Sequence, residues 1–478
     1  MSLFSERLKS IIEKTGMPVY TLAKKAGVNR PMIHKSQQGD SIPSADFIEK
    51  LSDAMMLTNV ERKELLSLAA RARMGEKLYL KRQSVLKVIN CLCVEFDEID
   101  LVALWKNKSQ EHTDGGYIVL NDCRQIKHVL LEMIKGKMES PKDEKIYICL
   151  PEQAKEFFSI VYHLWSSKEA ENIQLTQFIG LEKEYNSNES AVHNLSLLSY
   201  ALNFCLMTEK SIKVRYYYLN YSKNMDLPAM PYYIKIEDGV LALSADLNKG
   251  IYYDGGMMLD FYDDIVRERL ENSKLLIKEV ENMAEIINYR GTYALIESIP
   301  CISSIVTDDL LNSAICVDMP ERDYFLALTR DFYHDLQEND RHPISFFQME
   351  KLEKFMRDGI LPTVPQEWVR ALTLKERHEM VEKFSNIMKR SDKQIYYAVN
   401  PDKLHILVDA EIALTKEDGV MIRRFIEGTS ALKIIWIKEP SCVEAFTDFF
   451  TYFPTSNLVL KQEEAIKQIE RILANSDF

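Results

Sequence analysis

Residues 16 to 44 read GMPVYTLAKKAGVNRPMIHKSQQGDSIPS, and this stretch decides how the first part of the chain folds. Between Pro18 and Ala26, Leu22, Ala23 and Ala26 recur at helical spacing while Lys24 and Lys25 fall on the opposite side, the pattern of a short amphipathic helix. Pro18 suits its first turn. Gly27 can enter a left-handed turn without a Cβ clash, and Val28 is placed to plug the angle between two helices. Asn29 then caps a second helix, with Arg30 and Pro31 in its first turn, Ile33 facing inward and Gly39 at its end. Helix, tight glycine turn, helix is the helix-turn-helix unit, whose second helix enters a major groove of DNA.

Outward from this core the spacing predicts helices over 3–14, 45–57 and 59–71, the last opened by a Thr58-x-x-Glu61 capping box. The run LAKKAGVNRPMIHKSQQG at residues 22–39, with Pro43 and the helix after it, resembles the Xre/Cro-like family of lambda-repressor-type DNA-binding domains. The resemblance covers residues 3–70 and implies an all-α, five-helix head that contacts double-stranded DNA, commonly as a homodimer reading two half-sites. Two positions depart from the family pattern. Val19 stands where a phosphate-binding glutamine is usual, and Gln37-Gln38-Gly39 replaces the common Glu-Arg-Gly. The resemblance places Arg30, His34 and Lys35 at the groove. Arg30 is the first choice for base readout, because a guanidinium can bond guanine O6 and N7 together. Asn29, Gln37, Gln38 and Lys24 are read as contacts to the DNA backbone. The competing reading of all seven is an ordinary solvated helix surface.

Composition agrees with a small reading head on a larger body. At 478 residues the chain exceeds one typical core, and an apolar content of 46% excludes a long disordered tail. Residues 1–74 hold twelve Lys or Arg against eight Asp or Glu, whereas the whole chain carries a net charge of −12. A basic head on an acidic body fits DNA contact through the head alone. The charged, amphipathic start of the chain is unlike a signal peptide and no apolar run approaches ~20 residues, so no membrane association and a cytoplasmic location are expected. Eight cysteines without a C-x-x-C pair are read as reduced thiols, with Cys149 in an apolar strand.

After a hinge at 71–75, apolar spacing predicts a long helical connector over 76–106, with a domain boundary at 108–116. Two roles stand open for the connector: dimerisation, or packing against its own body. Beyond it the pattern is that of a large α/β or α+β body in two regions, 117–290 and 291–478. In the first, helices are expected at 125–135, 152–165, 190–206 and 258–289, and strands at 145–150, 173–181, 213–219, 232–236, 240–244 and 251–253. In the second, helices are expected at 321–338, 345–357, 373–389 and 463–474, and strands at 394–399, 404–409 and 433–437. Capping boxes at Ser345-x-x-Gln348 and Thr373-x-x-Glu376 set two of those helix starts. Tyr232-Tyr233 echoes Tyr396-Tyr397, and strand–Pro–helix units begin at Lys145 and Lys433. The two echoes occur in opposite order along the chain, whereas a duplicated domain keeps its order, so shared α/β texture is the reading.

No phosphate loop, dinucleotide fingerprint, zincin motif, nucleophile elbow or duplicated H-x-K-x-x-x-x-D signature is present, so no catalytic residue, cofactor or metal site is assigned. Asp331, His334 and Asp335 share a helical face without a fourth ligand and are read as solvated. Tyr217, Tyr233 and Tyr253 are candidates for a ligand pocket on an aromatic sheet, with a structural core as the competing reading. The sequence thus points to a sequence-specific, DNA-binding transcriptional regulator, dimeric on DNA, whose body receives a small-molecule or peptide effector or supplies assembly. The alternatives are an enzyme or defence effector with a DNA-binding localisation module, and a protein-interaction scaffold.

Overall fold

The computed structural model describes residues 2–92, 116–183, 188–219, 230–280, 291–316, 318, 321–339, 342–362, 364–390, 394–404, 406, 410–416, 419–425 and 432–475. The chain divides into two compact units, residues 1–84 with 186–192, and residues 85–185 with 193–478. The first unit begins with five helices, α1 (Leu3–Thr15), α2 (Val19–Ala26), α3 (Arg30–Gln38), α4 (Ala45–Ala54) and α5 (Asn59–Met74). Their apolar faces meet in one core built on Phe4, Leu8, Leu22, Ile33, Leu51 and Leu65. Ser2 and Ser44 cap α1 and α4 through their hydroxyls, and both arms of the Thr58–Glu61 box are formed at α5. Helix α6 (Glu76–Cys91) carries the chain from the first unit into the second; the rest of the expected connector, 93–106, lies outside the described residues.

The second unit is built on two mixed sheets. The first holds β1 (Tyr117–Leu120), β2 (Glu144–Cys149), β3 (Ile173–Glu182), β4 (Ile212–Leu219), β5 (Tyr232–Ile236), β6 (Gly239–Leu243), β7 (Gly250–Tyr253) and β8 (Lys274–Leu275), in the order β1-β7-β6-β5-β2-β3-β4-β8. The second holds β9 (Ile277–Glu279), β10 (Thr292–Ile296), β11 (Ile344–Phe347), β12 (Tyr396–Ala398), β13 (Ala410–Thr415), β14 (Gly419–Phe425) and β15 (Leu432–Ile437), in the order β9-β15-β14-β13-β10-β11-β12.

These two orders are the same topology in the same chain direction. In each sheet three successive strands run parallel, β2-β3-β4 and β10-β11-β12. The fourth returns antiparallel beside the first of them, β5 on β2 and β13 on β10, and opens a hairpin, β5-β6 or β13-β14. The next strand, β7 or β15, completes the run and pairs with the strand that preceded the parallel set, β1 or β9. Even the last edge corresponds: β8 lies antiparallel beside β4, and Val459 bridges antiparallel to Val399 directly after β12. The body is therefore an internal structural repeat, which corrects the expectation of mere shared texture. The echoes weighed in the sequence fall on strands that do not correspond, β5 against β12 and β2 against β15. The informative echo is Glu237-Asp238-Gly239-Val240 against Glu417-Asp418-Gly419-Val420, one at each equivalent hairpin.

Helices α7 (Cys123–Met138), α8 (Lys155–Trp165) and α9 (Asn188–Leu206) lead into or cross between the parallel strands of the first sheet. Their apolar residues form one large core with Ile146, Ile148 and Leu241 of that sheet and with Ile296, Ile412 and Ile422 of the second. Helix α15 (Pro440–Tyr452) joins that core through Phe446 and Phe449, while α10 (Gly256–Asn272) covers the other face of the first sheet around Tyr262 and Val266. The crossovers of the second sheet are α11 (Asp308–Ala314), α12 (Arg322–Glu338), α13 (Met349–Asp358) and α14 (Leu374–Arg390). With α16 (Gln462–Ala474), α13 and α14 pack on the face that carries Phe347 and Tyr396. The crossover face of the first repeat thus shares its core with the α15 face of the second. One hydrophobic body results, where the sequence suggested two regions.

Three local expectations differ. The helix expected over 258–289 ends at Asn272, because Lys274–Leu275 pairs with β4 and Ile277–Glu279 with β15; 281–290 lie outside the described residues. The capping box at Ser345 does not form. Ser345 lies inside β11, between β10 and β12, where its hydroxyl is used across the sheet, and the helix starts at Met349. A strand expected at 404–409 falls largely outside the described residues, and the strand that is described begins at Ala410. In the first two cases pairing partners distant in sequence override a local signal.

Candidate functional sites

In the first unit, Gly27 ends α2 with φ 63°, and its N–H together with that of Val28 closes the last turn onto Lys24 and Ala23. A residue with a Cβ pays a steric penalty in this left-handed conformation, which is why glycine stands at the turn. The turn sets α3 against α1 and α2, with Ile33 and Ser36 buried. Helical geometry then puts Arg30, His34 and Gln38 along the outward stripe, with Lys35 beside them. Asn29, Arg30, His34, Lys35, Gln38 and Lys24 are all exposed, and Gln37 is half-buried. Arg30 Nε lies 3.4 Å from His34 Nε2, so the imidazole holds the guanidinium along the helix.

Charge is distributed unevenly over this unit. Arg7, Lys50, Arg62 and Arg71 are paired with Glu64, Asp46, Asp53 and Glu76. Lys25 is also engaged, its ammonium bonding the Ala54 carbonyl at the C-terminal end of α4 at 2.6 Å, where the helix dipole favours a cation. Among the described residues, Lys24, Arg30 and Lys35 have no carboxylate within ion-pair distance, and no Asp or Glu occurs between Gly16 and Gly39. The α2–α3 surface is therefore a patch of uncompensated positive charge with amide donors and acceptors at its edge.

The aromatic candidates lie in the second unit. Tyr233 is buried on the α10 side of the first sheet with Cys149, Phe178 and Val240, and Tyr217 and Tyr253 pack against the same cluster. The Arg269 guanidinium sits 3.5 Å from the centre of the Tyr217 ring. Burial pushes both the Tyr217 and Tyr233 hydroxyls well above the ordinary phenol range. His334 pairs with Asp308 at 3.1 Å, and among the described residues no group of three His, Cys, Asp or Glu could hold a metal.

A cavity of about 220 Å³ lies instead on the crossover face of the second sheet, where sequence reading placed nothing. Its walls come from α11, α12 and the segment between α13 and α14, and include Phe325, Phe332, Tyr333 and Trp368. Its floor is polar: Thr292 of β10, Glu297 directly after β10, Glu411 of β13 and Arg423 of β14. Arg423 pairs with Glu411 across the hairpin, and the Ser345 hydroxyl donates to Glu297 Oε1 at 2.6 Å. Burial, and then the neighbouring Glu411, push the Glu297 carboxyl well above the usual carboxylate range. Thr292 Oγ1 is buried and makes no hydrogen bond among the described residues. The sequence sign of this site was a charged residue in or directly after each of three apolar runs, and the strands themselves were not recognised.

No family model and no curated protein matches the chain. Solved structures show faint similarity. TrmBL2, described as an archaeal chromatin protein with a novel mode of DNA binding, is 12% identical over 57% of this chain and 94% of its own, with a TM-score of 0.22. Phosphatidylserine synthase of Haemophilus influenzae Rd KW20 is 10% identical over 83% and 98%, TM-score 0.21. Polyphosphate kinase of Porphyromonas gingivalis is 9% identical over 76% and 55%, TM-score 0.21. Likeness at this level decides neither the fold nor the chemistry of this chain. Among the described residues no helix is long and apolar enough to cross a membrane.

Proposed function

We propose that the chain is a sequence-specific, DNA-binding transcriptional regulator of the Xre/Cro-like type, dimeric on DNA, in which α3 enters the major groove. The observation that carries this reading is the α2–Gly27–α3 turn, which buries Ile33 and Ser36 and presents Arg30, His34 and Lys35 together without an opposing carboxylate. Arg30 in the first turn of α3 is positioned for a guanine, His34 and Lys35 for adjacent base edges or phosphates, and Asn29, Gln37, Gln38 and Lys24 for the backbone on either side. The body then serves as the sensing or assembly region.

The test is selection of genomic DNA fragments by the purified full-length protein, with Arg30→Ala and Lys35→Ala variants beside it. A short palindromic site is expected, and Arg30→Ala should cost about 1–3 kcal/mol at one preferred base pair. Equal affinity of wild type and variant for every fragment, falling uniformly with salt, would reduce the head to a non-specific anchor.

A further inference from the structure

The internal repeat supplies a control for the polar floor of the cavity. Cys149 pairs with Tyr233 in the first repeat as Ile296 pairs with Ile412 in the second, so Leu150 occupies the place of Glu297. By the same ladders Tyr232 corresponds to Glu411, Leu243 to Arg423 and Gln177 to Ser345. In the first repeat Leu150 and Leu243 are buried in the large apolar core and Tyr232 packs against it. At the places of the two carboxyls and the guanidinium, the first repeat therefore carries leucine or tyrosine. In the second repeat the same positions carry two carboxyls and a guanidinium beneath aromatic walls, although burying a carboxyl at the expense of its charged form adds nothing to stability.

The chemistry of the floor selects the ligand. Arg423 is bonded to Glu411 and keeps a buried Nε without a hydrogen-bond partner, while Glu297, which accepts from Ser345, has no ion-pair partner among the described residues. An anionic head would have to share Arg423 with Glu411 and would leave Glu297 without a cation. A cationic head would favour ionised Glu297, donate its ammonium protons to that carboxylate, and lie among aromatic faces that favour positive charge. Glu297 itself stands directly after the C-terminal end of parallel strand β10, the end of an α/β sheet at which ligands bind. We propose that the cavity of the second repeat, floored by Glu297, Glu411, Arg423 and Thr292, is a binding site for a small organic amine with an apolar or aromatic body. This assignment goes beyond the DNA-binding reading and does not depend on it.

The test is calorimetric titration of the full-length protein, without DNA, with alkyl-, phenylalkyl- and indolylalkylamines and with alcohols and carboxylates of the same carbon skeletons. An amine is expected to bind at least about tenfold more tightly than its alcohol, the worth of one charge-assisted contact, and its carboxylate counterpart not at all. Because the amine arrives already protonated and favours the ionised carboxylate, its binding draws the proton off Glu297, so titrations in two buffers of different ionisation enthalpy should show net proton release. Glu297→Gln, which keeps the side-chain shape, should lose both the amine preference and the proton release. The proposal is overturned if no amine binds, if alcohol or carboxylate binds as well as the amine, or if Glu297→Gln releases the same proton.

Discussion

Gly419→Ala and Gly239→Ala place the same methyl group at equivalent hairpins of the two repeats, and the structure expects unequal costs. Gly419 has φ +95°, a conformation that costs an alanine about 1–2 kcal/mol. Its new Cβ would also stand 2.3 Å from the carbonyl oxygen of Ile437, well short of the 3.0 Å below which real Cβ atoms are essentially never found. That oxygen is backbone of β15, held by its ladder to β14, so relief requires the two strands to part. Overpacking of this kind adds about 1–3 kcal/mol, for a total of about 2–5 kcal/mol. Gly239 is not left-handed, and its Cβ would meet the Tyr252 hydroxyl at 2.6 Å, the far end of a side chain that can swing aside. Its cost should stay near 1 kcal/mol. Urea unfolding followed by tryptophan fluorescence isolates the body, because residues 1–84 contain no tryptophan. A Gly239→Ala midpoint as low as that of Gly419→Ala would refute the backbone geometry assigned to these hairpins.

Glu297 has a raised folded pKa. As pH climbs from about 4.5 the unfolded carboxyl ionises first, and body stability falls by up to about 1.4 kcal/mol per pH unit until the folded group ionises too. Glu297→Gln should remove that slope, so its advantage over wild type grows as pH rises above about 5; a constant difference in urea midpoint would show that Glu297 is ionised in the folded protein. Glu376 is the opposite case, held down to about 2 by Arg370 and by Thr373 at the start of α14. Its contribution is present above about pH 4.5 and lost as pH falls toward 2. Since the pair is partly exposed, Glu376→Gln should cost only about 1 kcal/mol at neutral pH, and the difference should vanish in acid.

The two ends of this protein differ in how they are encoded. The helices of the first unit lie within a few residues of their sequence-read bounds, because caps, glycine stops and 3.6-residue spacing act between residues close in sequence. In the body the first repeat was largely legible. Strands such as Lys145 to Cys149 are bounded runs of β-formers, and the hairpin at Glu237-Asp238-Gly239 announces itself. The second repeat was not. Strands β10, β11, β13 and β14 were missed or read as helix, since Ser345-x-x-Gln348 imitates a capping box and Ala410–Thr415 has no alternation to mark a half-buried strand.

What the sequence by itself determined is the positively charged α2–α3 surface, because the glycine turn and the cations that mark it all lie between Gly16 and Ser44. Only the tertiary structure decided the internal repeat and the cavity within it. Thr292, Glu297, Ser345, Glu411 and Arg423 are drawn together from separate strands by backbone pairing, and it is the pairing register, not local spacing, that turns them onto one face.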